Sequence, residues 1–110
     1  MKTFILGRTK EEVQRLIPEK QIKTVKLGEA RICVSRDGED YFAFESHCPH
    51  RKADLSRGFL NGIQEIVCPL HEYRFNLKTG QVSNAQCPDL TLYKTELTEE
   101  GLKITVPVSM

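Results

Sequence analysis

The clearest pattern in the chain is the alternation of Ala30, Ile32 and Val34 with Arg31, Cys33 and Ser35, a two-residue period that predicts a β-strand. Asp37-Gly38 follows as a hairpin signal, and Tyr41–Glu45 is the expected returning strand. Asn61-Gly62 marks a second turn before an expected strand at Ile63–Val67, and Lys78-Thr79-Gly80 marks a third turn. Thr91–Leu97 and Leu102–Val106 flank Glu99-Glu100-Gly101 and predict a closing hairpin. Lys2 to Leu6 reads as a short strand. Thr9-Lys10-Glu11-Glu12 has the capping-box form, a hydroxyl followed three residues later by a carboxylate. Val13, Leu16 and Ile17 then supply one apolar helical face, and Pro18 stops the helix. A helix of about two turns is too short to stand alone, so it is expected to plug one end of a sheet. Many short strands spaced by turns predict an all-β fold, a small antiparallel sandwich or open barrel with one short N-terminal helix. Cys48–Gly58 and Cys68–Tyr73 fit no strand; both begin with Cys-Pro and both contain a histidine.

Length and composition narrow the function. At 110 residues and 12.6 kDa the chain is expected to form one domain with a modest core. The longest apolar run is Tyr41-Phe42-Ala43-Phe44, far short of a membrane span. Phe4-Ile5-Leu6 followed by Gly7-Arg8 is too short for a secretory signal, so a cytoplasmic setting is expected. A net charge of +1 argues against binding nucleic acid through bulk charge. There are four cysteines, Cys33, Cys48, Cys68 and Cys87, and two of the three histidines pair with two of them. Without a secretory signal, metal binding or redox chemistry is expected ahead of disulfides.

The chemistry is concentrated in Cys48-Pro49-His50 and Cys68-Pro69-Leu70-His71, with seventeen residues between His50 and Cys68. Each segment offers one sulfur and one imidazole nitrogen. A soft anionic thiolate and a neutral imidazole together suit zinc or iron. The proline after each cysteine removes an N–H and stiffens the turn that aims the sulfur. Three readings follow from these residues: unrelated core positions, a mononuclear Cys2His2 zinc site, or a two-iron, two-sulfide cluster.

The motif Cys-x-His, seventeen residues, Cys-x-x-His resembles that of the Rieske iron–sulfur family. Leu55-Ser56-Arg57-Gly58 resembles the segment that closes the family's first cluster loop. Arg74-Phe75-Asn76, Thr79-Gly80 and Pro88 stand where Rieske ferredoxins carry similar residues, and the likeness in layout spans roughly residues 20–107. The resemblance implies a single [2Fe–2S] domain over residues 1–110. In it, 1–18 would be an N-terminal addition, 48–58 and 68–76 the cluster loops, and 84–90 a covering loop. Cys48 and Cys68 would bind one iron of one cluster per chain, and His50 and His71 the other. The implied function is one-electron transfer from a ferredoxin reductase to a terminal oxygenase or similar enzyme. The carrier would be a monomer, without nucleic acid or membrane, and not itself an enzyme. The small Rieske-like subunit of a nitrite reductase is an alternative, and a zinc-stabilised binding module is another of a different class.

Several positions depart from the family pattern. Ala53 and Leu70 stand where high-potential Rieske proteins have a disulfide. Tyr73 and Phe75 replace the usual serine and tyrosine, and Phe75 has no hydroxyl to donate to the cluster. A potential toward the low end of the roughly −150 to +300 mV range is therefore expected, below about +200 mV. Lys52 and Glu72 occupy positions where glycine is usual, and their opposite charges suggest a pair across the loop tips. Cys33 is expected as a small buried residue and Cys87 as a thiol near the cluster. His47 is expected as a loop residue or hydrogen bonder rather than a ligand. Arg51, Lys52 and Arg57 against Asp54 make the first loop locally basic, a feature that would attract an acidic partner.

Overall fold

Eleven short elements follow one another along the chain, and the computed structural model describes residues 2–28, 30–49, 53–70, 72–84 and 88–106. They are β1 (Lys2–Leu6), α1 (Lys10–Leu16), β2 (Ile22–Leu27), β3 (Ala30–Asp37), β4 (Asp40–Glu45), a 3-10 turn (Leu55–Arg57), β5 (Phe59–Leu60), β6 (Glu65–Val67), β7 (Arg74–Asn76), β8 (Leu92–Thr98) and β9 (Gly101–Val106). Six strands form one sheet in the order β1-β9-β8-β4-β3-β2, and β5-β6-β7 form a second. All the pairings are antiparallel, and the larger sheet curls into a half-barrel. The fold is the all-β arrangement expected from the strand-and-turn pattern.

Local chemistry places the helix where the capping pattern predicts it. Thr9 caps α1 by accepting from the Glu12 N–H at 3.1 Å. The Glu12 carboxylate reaches one residue further back than in the usual box and accepts from the Arg8 N–H at 3.1 Å. Val13 and Ile17 are buried with Ile32, Val34, Ala43, Leu102 and Ile104 in the main core, and α1 packs on β9. Leu16, expected on the same apolar face, is instead 44% exposed. The helix ends at Leu16, so a single turn carries Val13 and Ile17 inward and turns Leu16 away.

One further expectation changes. The strand expected from Ile63 begins only at Glu65, and Ile63 is 71% exposed. The Asn61 side chain accepts from both the Ile63 and Glu65 N–H groups at 3.1 Å, and Gln64 takes φ +61°, so the turn runs on to Gln64. Strand β3 alternates in sequence yet is buried from Ile32 to Ser35 on both faces. Ile32 and Val34 enter the main core, whereas Cys33 enters a second core built with the smaller sheet. That second core is what positions the candidate site.

Candidate metal centre

Two loops rise from two hairpin-like bases, and both are closed in the same way. The first extends beyond β4. Its base is set by the Leu55 N–H donating to the Ser46 carbonyl at 2.9 Å and by a bridge between His47 and Asp54. Inside that base the Cys48 N–H donates to the Ala53 carbonyl at 2.8 Å. The second loop joins β6 to β7 above the pair Val67 and Arg74. Inside it the Cys68 N–H donates to the Tyr73 carbonyl at 2.8 Å. In each loop, therefore, a cysteine followed by proline anchors a turn through a carbonyl five residues ahead.

Both cysteines point to one interior. Cys48 is 0% and Cys68 1% exposed, and they share a buried cluster with Cys33, Phe44, Leu55, Phe75, Leu77 and Leu90. His50 and His71, the expected nitrogen donors, lie outside the described residues, as do Arg51, Lys52 and Cys87. The proposed pairing of Lys52 with Glu72 falls there too. His47 is exposed with its Nδ1 3.0 Å from the Ser46 hydroxyl.

Glycine brings the loops together. A Cβ added to Gly58 would meet the Val67 carbonyl oxygen at 2.1 Å. Gly58 closes the first loop and Val67 immediately precedes Cys68, so this bare backbone contact sets one loop against the start of the other. The pair Phe59 and Val67 in β5 and β6 continues it. Asp54 shapes the approach to Gly58: its Oδ1 accepts from the Ser56 N–H at 3.0 Å and the Ser56 hydroxyl at 2.7 Å. These two bonds favour the carboxylate and hold its pKa below the usual value of 3.8.

Described residues after β7, Leu77, Val82 and Leu90, pack into the same buried cluster. The Leu90 N–H donates to the Gly80 carbonyl at 2.7 Å, and a Cβ on Gly80 would lie 2.3 Å from the Leu90 oxygen. Gly80 also takes φ +83°, so both its conformation and its contact require glycine. Between these ends, Ser83 N–H donates to the Arg74 carbonyl at 2.8 Å, and Val82 bridges Phe75. Asn84 follows with two bonds to the second loop: its Oδ1 accepts from the Arg74 N–H at 2.9 Å, and its Nδ2 donates to the Glu72 carbonyl at 3.2 Å. Nothing in the sequence marks Asn84, because its partners lie ten and twelve positions away.

Glu72 itself takes φ +56°. The left-handed backbone that glycine would supply at this position is thus kept without glycine. The donor chemistry suits an iron–sulfur group, with two buried sulfurs on matched loops. The third sulfur in the same cluster behaves differently: burial and the nearby Asp54 charge push the Cys33 thiol up to about 12, which leaves it a neutral packing group rather than a thiolate ligand.

Comparison with known proteins identifies the family. The family model of the Rieske [2Fe-2S] domain matches residues 8–96. The ferredoxin component of the naphthalene 1,2-dioxygenase/salicylate 5-hydroxylase systems of Ralstonia sp is 39% identical over 75 residues, which is 68% of this chain and 68% of that one. The ferredoxin of carbazole 1,9a-dioxygenase from Nocardioides aromaticivorans IC177 superposes with a TM-score of 0.80 at 21% identity, covering 94% of this chain and 97% of that one. A chain described as an NADH-dependent nitrite reductase small subunit from Mycobacterium tuberculosis gives a TM-score of 0.79 at 17% identity, with 97% of each chain covered. The half-barrel, the three-stranded sheet beside it and the two Cys-Pro loops are, with the family match, those of an iron–sulfur electron-transfer module. The chain belongs to the Rieske [2Fe–2S] domain family, and its cofactor is a [2Fe–2S] cluster. Family membership puts that cluster in place of the zinc-stabilised module considered from the residues alone.

Proposed function

We propose that this chain is a ferredoxin, a one-electron carrier for an oxygenase system, and that Cys48, His50, Cys68 and His71 hold its cluster. The observation that carries the ligand assignment is the burial of Cys48 and Cys68 in one core at the bases of two loops closed by the same hydrogen bond. When bound, the cluster accepts and releases a single electron. The chain's own residues supply the rest: Pro49 and Pro69 stiffen the ligand turns, and Phe75, Leu55 and Leu90 keep water from the sulfurs. The relative at 39% identity is a ferredoxin component, whereas likeness to the nitrite reductase subunit is one of fold; the ferredoxin reading is therefore preferred. On this reading the partners are a ferredoxin reductase and a terminal oxygenase. The carrier is a cytoplasmic monomer made of one domain, with residues 84–90 as the covering loop. Within the described residues no helix is long and apolar enough to cross a membrane.

The test is electron paramagnetic resonance of anaerobically purified protein before and after dithionite, with iron and zinc assayed together. A rhombic reduced-state signal with average g below the free-electron value, and about two irons per chain, is expected. About one zinc per chain and no signal would overturn the reading. Cys48→Ser and Cys68→Ser should each abolish the signal, whereas Cys33→Ser should keep it. Because Phe75 has no hydroxyl, the midpoint potential should fall below about +200 mV at pH 7, which redox titration checks.

A further inference from the structure

The Asn84 side chain and the Glu72 backbone form one device. The second loop is closed by the Tyr73 carbonyl accepting from the Cys68 N–H. Asn84 grips the chain on both sides of that carbonyl, at Glu72 C=O and at Arg74 N–H. Its amide thus stands in for a peptide group of a neighbouring strand, with one donor and one acceptor spent on residues flanking Tyr73. Residues 81–83 hold Asn84 in place through the Asn76 N–H to Gln81 carbonyl bond at 2.8 Å and the bond from Ser83 to Arg74. Between the two gripped points and His71 sits Glu72 at φ +56°, a region that residues with a Cβ seldom occupy. Without external ties, a glutamate there would relax toward negative φ and swing its carbonyl away.

We infer that Asn84 is a positioning residue for the cluster: it latches the second loop and holds Glu72 in the left-handed conformation that glycine would adopt unaided. The inference rests on the assignment of Cys68 and His71 as ligands, since they flank the latched backbone. It explains how this chain tolerates a side chain at position 72. The latch and the glycine are two solutions to one conformational requirement.

The experiment is a mutant cycle on the full chain, reading the rate of cluster bleaching in air and the midpoint potential. Asn84→Ala should hasten bleaching about three- to ten-fold and shift the potential, because two hydrogen bonds to the ligand loop are lost. Glu72→Gly should bleach no faster than wild type. In the Glu72→Gly background, Asn84→Ala should cost less than half as much on a logarithmic scale. Glu72→Gln, which removes the charge and keeps the Cβ, should give no such rescue. Equal costs in both backgrounds, or rescue by Glu72→Gln, would overturn the inference. Hydrogen exchange at the Arg74 amide, measured on the iron-loaded protein, reads the latch directly and does not depend on which residues ligate the cluster. That amide should exchange several-fold faster in Asn84→Ala, and an unchanged rate would sink the proposal. A wild-type protein that binds no iron would instead refute the ligand assignment.

Discussion

The two sheets of this protein are held together by different means. In the larger sheet the strands run five to eight residues and pair over five or six positions, except where β4 meets β8 over two. In the smaller sheet they run two or three residues, too few to persist by backbone pairing alone. Side chains and close backbone contacts replace the missing ladder. Asn61 holds the β5–β6 turn, and Asn76 accepts from the Lys78 and Thr79 N–H groups at 2.7 and 3.1 Å. Asp54 shapes the first loop, and Asn84 ties the second. Gly58 and Gly80 allow carbonyl contacts that any Cβ would forbid. Each sheet thus has its own hydrophobic core, and the smaller one is tied mainly by side chains and glycine contacts.

Removing the iron should break this comparison most visibly. With a chelator under native conditions, amide protection in β5, β6, β7 and both loops should collapse, while β3, β4, β8 and β9 stay protected. Hydrogen exchange by mass spectrometry reads both regions in one experiment. Uniform loss of protection would show that the larger sheet also depends on the cluster.

Glycine substitutions sharpen the contrast. Gly58→Ala should destabilise the protein by about 3 kcal/mol, because the new Cβ meets the Val67 carbonyl, next to the proposed ligand Cys68. Gly38→Ala, in the β3–β4 turn at φ +64° with open space around it, should cost only about 1 kcal/mol. Urea unfolding gives both values, and only the first should reduce iron content.

Thr9→Ala removes the cap of α1 and should cost about 1 kcal/mol, lowering the melting temperature without altering the reduced-state signal. Asp54→Ala should cost about 0.5–1 kcal/mol at pH 7, since its carboxylate caps an exposed turn. The sign with pH follows from the lowered pKa. The folded state favours the Asp54 anion, so its contribution is full above the usual value of 3.8 and is lost as pH falls through the lower folded value. The gap between wild type and Asp54→Ala should therefore narrow below pH 4, which denaturant titrations at stepped pH would show.

Much of this was legible along the chain. The Asp37-Gly38 turn with its flanking strands, the Thr9 cap, and the closing hairpin are dictated by residues within a few positions of one another. The two Cys-Pro segments declared themselves because they interrupt the strand pattern. Some of the burial was not legible. Leu16 and Ile63 are apolar yet exposed for local reasons that periodicity misses: α1 ends at Leu16, and Asn61 holds the turn on to Gln64. Burial of Cys33 is expected from its strand pattern, but the layer that covers it, a second core drawn from Phe44 to Leu90, is set only by the tertiary structure.

Sequence alone thus determined the local turns, the helix and the metal-binding type of the two loops, because these are set by short-range sterics, hydrogen bonding and donor chemistry. Tertiary structure decided why Gly58 and Gly80 tolerate no side chain and how Glu72 keeps a conformation suited to glycine. Each of those outcomes depends on an atom distant in the chain: the Val67 and Leu90 carbonyls and the Asn84 amide.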